Sequence, residues 1–172
     1  MTMIRLRGLA CLPIALAMAL ATTAPIVMAG SAEEDFRGGL AAFNRGDFAA
    51  AMQLWRPLAD SDDPRSQAGI GFLYHRGLGV KTDDVQAAFW LRKAAEQGQA
   101  EGQFMLGSLY FFGLGVPQSY PTAYAWCELA QDSGQAEAEA CRDAALQSIA
   151  VDEDRREALR LVREFRERYG RK

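Results

Sequence analysis

Few side chains in this sequence are of the types that carry out catalysis or hold metals. The chain has three cysteines and a single histidine, His75, too few for a histidine cluster or a zinc site of ordinary spacing. A Ser–His–Asp triad would need His75, and no nucleophile-elbow motif surrounds that residue. No serine stands three residues before Lys81, Lys93 or Lys172, so the Ser-x-x-Lys motif of β-lactam chemistry is also missing. We therefore predict no catalytic residue, no metal site and no cofactor.

Residues 1–29 have the pattern of a secretory signal peptide. Arg5 and Arg7 precede an uncharged run with the apolar centre "CLPIALAMALA", and Val27 and Ala29 occupy the cleavage-rule positions. We expect cleavage after Ala29 and a periplasmic or secreted protein. The alternative is an uncleaved membrane anchor, because the run is long enough to span a bilayer. Contact with a membrane is expected only in that case.

Two cysteines remain after such cleavage, and they fit either a disulfide or two small buried side chains. Cys127 and Cys141 each lie seven residues from Gly134, the predicted turn between two antiparallel helices, so they stand at matching heights. An oxidising compartment would permit a bridge. However, helix axes are usually about 8–10 Å apart, and a disulfide needs Cα atoms within roughly 7 Å. The sequence leaves both possibilities open.

The rest of the chain repeats itself at an offset of 36 residues. The stretch "GFLYHRGLGV", from Gly71 to Val80, returns as "GSLYFFGLGV", from Gly107 to Val116, and "GQAE" after Ala94 returns in step without a gap. A fixed period of this length is typical of a solenoid. Gly98 and Gly134 are predicted to end helices, so each unit contains two helices.

The units differ at the two ends of the chain. An earlier unit, aligned with Phe43 at the position of Tyr74, has a shorter loop, and the last unit lacks the glycine loop. The final segment is a predicted amphipathic helix with acidic residues leading and arginines trailing, as the helix dipole favours, and it would cap the solenoid. The predicted boundaries are 33–63, 64–99, 100–135 and a partial 136–150 for the repeats, and 151–172 for the cap.

The stretches "LGSLYFFGLGV", "AAFWLRKAAEQGQAEGQ" and "LWRPLAD" resemble Sel1-like repeats, bacterial relatives of tetratricopeptide repeats. The resemblance covers about residues 36–148. It implies an all-α, right-handed α/α solenoid that binds other proteins or peptides, with the first helix of each unit lining the inner face. In disulfide-rich members of this family, the paired cysteines lie closer to the turn than Cys127 and Cys141 do.

The helix "EGQFMLGSLYFFG" carries two stripes of side chains. The first packs the helix within its own repeat, and the second predicts where a partner would bind. One apolar stripe is enough to pack a repeat helix, so the second would face either a neighbouring repeat or the groove. Phe111 is the favoured anchor, since aromatic residues and arginines most often anchor partners, whereas Phe104 and Phe112 fit core packing. The predicted groove, basic at one end and aromatic at the other, comprises Arg37, Asn44, Arg45, Phe72, His75, Arg76, Phe104, Ser108, Phe111 and Phe112.

Charge and composition narrow the class of partner. Hydrophobic residues make up 49% of the chain and charged residues 24%, with a net charge of −3, and the main body carries no basic patch. Nucleic acid is therefore not an expected partner. We predict a periplasmic adaptor or regulator that binds an unidentified protein or peptide. The alternatives are an enzyme acting on the cell wall or on β-lactams, and a purely structural envelope protein.

Overall fold

The computed structural model describes residues 31–170, and in this range the chain folds into eight α-helices with no β-strand. The predicted signal peptide lies outside the described residues, as do the last two residues of the predicted cap. No helix among the described residues is both long and apolar enough to cross a membrane. The helices are α1 (Ala32–Asn44), α2 (Phe48–Asp60), α3 (Pro64–Arg76), α4 (Asp84–Glu96), α5 (Ala100–Phe112), α6 (Tyr120–Asp132), α7 (Ala138–Ser148) and α8 (Asp152–Tyr169).

The first six helices start at side chains that cap them. In each, the residue before the helix accepts a hydrogen bond from the backbone N–H of the third helical residue, which satisfies a donor that the helix leaves unpaired. Pro64 fits the first position of α3 because proline has no backbone N–H, and an N–H at that position would have no partner within the helix. The capping residues are Ser31, Asp47, Asp63, Asp83, Gln99 and Ser119.

Consecutive helices pack as antiparallel pairs, and the pairs stack in chain order. We call α1, α3, α5 and α7 the A helices and α2, α4 and α6 the B helices. Apolar residues of both sets fill two buried clusters, one around Trp55, Ile70 and Trp90 and the other around Leu106 and Trp126. This arrangement is the predicted α/α solenoid, in which each pair buries its apolar face against the next.

Two buried glutamines join neighbouring pairs at the same position of each repeat. Gln67 and Gln103 are fully buried, and their amide nitrogens donate to the carbonyl oxygens of Ala59 (3.1 Å) and Ala95 (3.2 Å). Buried polar groups must be paired in this way to avoid a desolvation cost of about 1–3 kcal/mol. The sequence repeat therefore includes the polar bonds between units as well as their apolar contacts.

The helix bounds correct the alignment of the first unit. Pro64 and Ala100 begin α3 and α5, 36 residues apart, but Ala32 begins α1 only 32 residues before Pro64. The loop 45–47 has three residues where the loop 77–83 has seven, so four residues are missing. Ala42 therefore takes the position of Tyr74, and the prediction that Phe43 does so was wrong by one residue.

Three buried glycines confirm the corrected alignment. Gly39, Gly71 and Gly107 are equivalent at offsets of 32 and 36, and each faces a side chain of the paired B helix. A methyl group added at these positions would collide with Trp55, Leu91 or Cys127, respectively. The absence of a side chain lets the two helices of a pair approach closely.

The last two helices close the stack. Helix α7 packs against α6, and α8 packs mainly against α6 while touching α4. Phe165 and Tyr169 of α8 lie against Trp126, with ring centroids 4.5 and 5.4 Å away. Arg166 bridges Asp132 (2.7 Å) and Glu128 (2.9 Å). Helix α8 is the predicted capping helix, and it covers an apolar edge that α6 would otherwise expose.

Candidate binding groove

The A helices line a continuous groove along one face of the solenoid. Three neighbouring cavities of about 250, 430 and 400 Å³ lie between α1 and α3, between α3 and α5, and between α5 and α7. Phe72 and Glu101 line both the first and the second cavity. Phe104 and Phe112 line both the second and the third. We call this surface the A-helix groove.

Seven of the ten residues predicted for the groove line it. Phe112 is the most exposed of them that is apolar, with 65% of its surface accessible. Phe111 is half-buried, with its ring centroid 5.4 Å from that of Tyr120 and 4.9 Å from that of Phe112. The structure therefore makes Phe112 rather than Phe111 the better candidate anchor. The seven are Phe72, His75, Arg76, Phe104, Ser108, Phe111 and Phe112.

The three residues predicted from α1 and its loop do not line these cavities, and for Arg37 and Arg45 the cause is that the first unit was aligned one residue out of step. Arg37, Asn44 and Arg45 are exposed, and Arg37 pairs with Glu33 on its own helix at 2.8 Å. The groove at this end is instead formed by Phe36, Leu40 and Phe43. The wall that α1 contributes is apolar rather than basic, which corrects the predicted charge gradient; Arg65, which also lines this cavity, lies on α3 and is paired with Glu33.

His75 and Arg76 have different surroundings at the end of α3. The Nδ1 atom of His75 lies 2.7 Å from Oδ1 of Asp84, so this ring ties the end of α3 to the start of α4. Arg76 is exposed and forms no ion pair with any residue from 31 to 170. Only Arg76 therefore offers a free charge to a partner at this rim of the groove.

A column of charged residues that the sequence reasoning missed crosses the other rim. Glu33, Arg65 and Glu101 are the second residues of α1, α3 and α5, and Glu137 follows Glu101 by the same period of 36 residues, directly before α7. Nη1 of Arg65 donates to Glu33 at 2.8 Å, and its guanidinium lies 4.1 Å from the ring centroid of Phe36. The repeated "GQAE" already contained Glu101 and Glu137, but the register of the first unit was needed to extend the column.

Two carboxyl groups of this column, those of Glu33 and Glu101, have pKa values shifted in opposite directions. The hydrogen bond from Arg65 lowers the pKa of Glu33. Partial loss of water in the groove raises the pKa of Glu101, and the negative charge of Glu137 raises it further. Glu101 remains accessible to solvent as a whole, and it forms no ion pair within the described part of the chain.

These opposite shifts predict opposite effects of two conservative substitutions. A lowered pKa stabilises the fold above the ordinary pKa of glutamate, so Glu33→Gln should lower the melting temperature at about pH 7. A raised pKa means that the ionised group destabilises the fold, so Glu101→Gln should raise the melting temperature at the same pH. Both differences should shrink as acid protonates the two carboxyl groups of the wild type. Thermal melts from about pH 7 to pH 4 check this, and a Glu101→Gln variant that melts below wild type would contradict it.

Cys127 and Cys141 form a disulfide in the structure. Their Cα atoms are 5.9 Å apart, within the range that such a bond requires. Helices α6 and α7 come this close because small residues, including Ala130, Ala138 and Ala145, are buried along them. Of the two possibilities that the sequence left open, the structure shows the disulfide. Cys141 lines the third cavity, so the bond lies at the end of the A-helix groove.

Reduction of this bridge should lower the free energy of unfolding by about 3 kcal/mol, because the bond closes a loop of 14 residues in the unfolded chain. Chemical denaturation with and without a thiol reductant measures the effect. A Cys127→Ala/Cys141→Ala double variant is the control, since reductant should leave its midpoint unchanged. Equal midpoints for oxidised and reduced wild-type protein would contradict the prediction.

Residues 31–170 contain no cluster of three or more histidine, cysteine, aspartate or glutamate side chains arranged to hold a metal ion. The polar groups of the A-helix groove are dispersed among aromatic side chains, as in a surface for recognition. Their arrangement can bind by apolar contact and by charge.

The fold and the groove define the class of protein, which is an α/α solenoid built from repeated helix pairs. Residues 64–99 and 100–134 match the Sel1 repeat family, and the chain is a Sel1-like repeat protein. Repeats of this kind generally serve as modules for protein interaction, and the fold is typically a scaffold without catalytic activity.

Two solved structures are similar to this chain. One is a protective antigen present in uropathogenic Escherichia coli strains that displays an SLR fold, with 30% identity and a TM-score of 0.77, over 82% of this chain and 31% of that one. The other is a Sel1 repeat protein from Oxalobacter formigenes, with 30% identity and a TM-score of 0.62, over 77% of this chain and 55% of that one. No curated protein matches in sequence. The chain thus spans about a third of the first structure and about half of the second.

Proposed function

We propose that the protein is a periplasmic adaptor or regulator that holds a peptide segment or a partner protein in the A-helix groove and carries out no chemistry itself. The exposure of Phe112 is the observation that carries the proposal. An aromatic side chain that is 65% accessible, beside a cavity of about 430 Å³, leaves apolar surface in water that a partner could cover. Covering one such side chain is worth about 1.5–3 kcal/mol.

Three further observations support this function. The family of the repeats favours protein binding, and the pattern of residues 1–29 favours export to the periplasm. Helices α1, α3 and α5 also present their apolar residues on a frame that starts at capping side chains, so little conformational entropy is lost when a partner binds.

The experiment compares partner capture by three proteins: wild type, Phe112→Ala and Phe89→Ala. Phe89 is the matched control, since it is also an exposed aromatic residue, with 51% of its surface accessible, but it lies on the B helix α4. Envelope proteins that bind wild type should bind Phe112→Ala at least about fivefold more weakly and Phe89→Ala equally well. Equal capture by all three proteins would contradict the groove as the binding surface.

The same preparations test the enzymatic alternative. The wild-type protein should turn over neither labelled cell wall nor a chromogenic β-lactam. Turnover that a single substitution in the purified chain abolishes would reject the adaptor function.

A further inference from the structure

We propose that the segment held in the A-helix groove carries a lysine or arginine, placed between Glu101 and Glu137, next to an apolar side chain that enters the cavity lined by Phe72, Phe104 and Phe112. This inference rests on the proposed function and specifies the chemistry of the partner. It starts from the column of charges at the rim of the groove, which is complete at one end and lacks a cation at the other.

Neutralisation along the column is uneven. Arg65 sits next to Glu33 and pairs with it, so these two charges cancel. Arg65 also reaches Asp63 at 3.2 Å, and it has no equivalent in the next unit, where Glu101 takes its place. The column therefore runs negative, positive, negative, negative, and its last two members line the same cavity.

No basic group of the described chain neutralises Glu101 and Glu137. Glu137 accepts a hydrogen bond from the neutral amide of Gln135 at 2.7 Å, and neither glutamate forms an ion pair among residues 31–170. His75 and Arg76 line the same cavity, but they lie at the opposite end of the A helices, about 16 Å away along an axis that rises 1.5 Å per residue. Arg65 lines the first cavity with Glu101, but its guanidinium is paired with Glu33 and Asp63, and it does not line the second cavity. A cation from outside the chain can therefore reach Glu101 and Glu137 through the second cavity.

A location at the N-terminus of a helix does not by itself explain the properties of these glutamates. A carboxylate in the first turn is stabilised by the helix dipole, which would lower its pKa. The pKa of Glu101 is raised instead, because the groove removes water from the carboxyl and Glu137 repels its charge. A bound ammonium or guanidinium group would relieve both penalties, since it replaces lost hydration with a charge-assisted hydrogen bond.

The apolar neighbour of the cation follows from the cavity itself. Phe104 projects from α5 between positions that hold only alanine on α3 and α7, Ala68 and Ala140. This alternation of large and small residues leaves room on both sides of the Phe104 ring, in cavities of about 430 and 400 Å³. A leucine, methionine or phenylalanine beside the basic residue fits that space.

A random dodecapeptide library displayed on phage, selected on the purified wild-type protein, supplies the probe. Peptides that bind wild type and Phe89→Ala but not Phe112→Ala are groove-dependent, and they should be enriched in lysine or arginine beside an apolar residue. The best peptide should bind Glu101→Gln and Glu137→Gln about 5- to 20-fold more weakly. Glu167→Gln is the charge control, an exposed acid on α8 for which no change is expected.

A double-mutant cycle separates the cation from general charge effects. Replacing the basic residue of the peptide with glutamine should weaken binding to wild type at least as much as Glu101→Gln does, and the same replacement should weaken binding to the Glu101→Gln variant less than it weakens binding to wild type. Groove-dependent peptides without basic residues, or additive losses in the cycle, would overturn this inference while leaving the proposed function intact. If no groove-dependent peptide emerges, the proposed function fails, and this inference fails with it.

Discussion

Gly115→Ala is expected to lower the free energy of unfolding by about 3 to 5 kcal/mol. Gly115 has a φ of +66°, where a side chain costs about 1–2 kcal/mol. A Cβ at this position would also overlap the carbonyl group of Asp84 and approach the backbone nitrogen of Val85. Backbone atoms of α4 cannot rotate away as a flexible side chain could, so the loop 113–119 would have to leave its contact with the preceding unit.

The Gly134→Ala variant measures the cost of the backbone conformation in the absence of a steric clash. Gly134 has a φ of +92°, but a Cβ there would meet no atom within 4 Å. This variant should lose only about 1–2 kcal/mol, which is the conformational cost alone. Urea denaturation of both variants measures the difference. Equal losses would mean that the glycine loop does not hold consecutive units together in the way the structure shows.

Trp126→Ala is expected to cost about 3 to 5 kcal/mol and to release the capping helix. Trp126 is 2% exposed and lies between the core of the third unit and the rings of Phe165 and Tyr169 on α8. Its removal leaves a cavity and takes away the apolar surface to which α8 is attached. Besides the lower stability by denaturation, limited proteolysis should cut the segment between Ile149 and Asp152 sooner than in wild type.

Trp90→Ala provides the comparison for this second effect. Trp90 is equally well buried, at 4% exposure, but it belongs to the other cluster and makes no ring contact with α8. It should lose a similar amount of stability, about 3 to 5 kcal/mol, without early cleavage before α8. If both variants release α8 at the same rate per unit of lost stability, then Trp126 does not hold the cap in particular.

The solenoid could be predicted from the sequence because its period is visible in residues that begin or end a helix. Each of these residues is required by the backbone at its own position. Glycine at Gly77 and Gly113 ends a helix with a positive φ, and aspartate or serine before α4 and α6 begins one. These requirements recur with every unit, so the pattern identifies both the helices and their pairing. The amphipathic pattern of the last 22 residues likewise predicted a cap that packs by Ala158 and Val162, which are both buried.

The groove was harder to predict, because it depends on which residues become neighbours across units. A loop shorter by four residues rather than five shifts every position of α1 by one, so that Phe36 replaces Arg37 and Phe43 replaces Asn44. The stripe on α5 did not show which of two adjacent rings would turn to solvent. That choice is made by Tyr120, which follows the glycine loop and covers Phe111.

The charge column was missed for a related reason. Glu101 and Glu137 each look like an ordinary acid at a helix start when considered within one unit. Only the stacking of units places them beside each other, without the basic partner that Glu33 finds in Arg65.

The central claim is that the A-helix groove, and no other apolar surface of the solenoid, receives the partner. The most direct measurement is site-specific photo-crosslinking in living cells that make the full chain, with p-benzoylphenylalanine in place of Phe112 or of Phe89. Both positions are exposed aromatic sites, so the photoreactive group should be tolerated equally. The account predicts a discrete crosslinked species from position 112 and none from position 89. Crosslinking from position 89 alone, or to the same species from both positions, would contradict it.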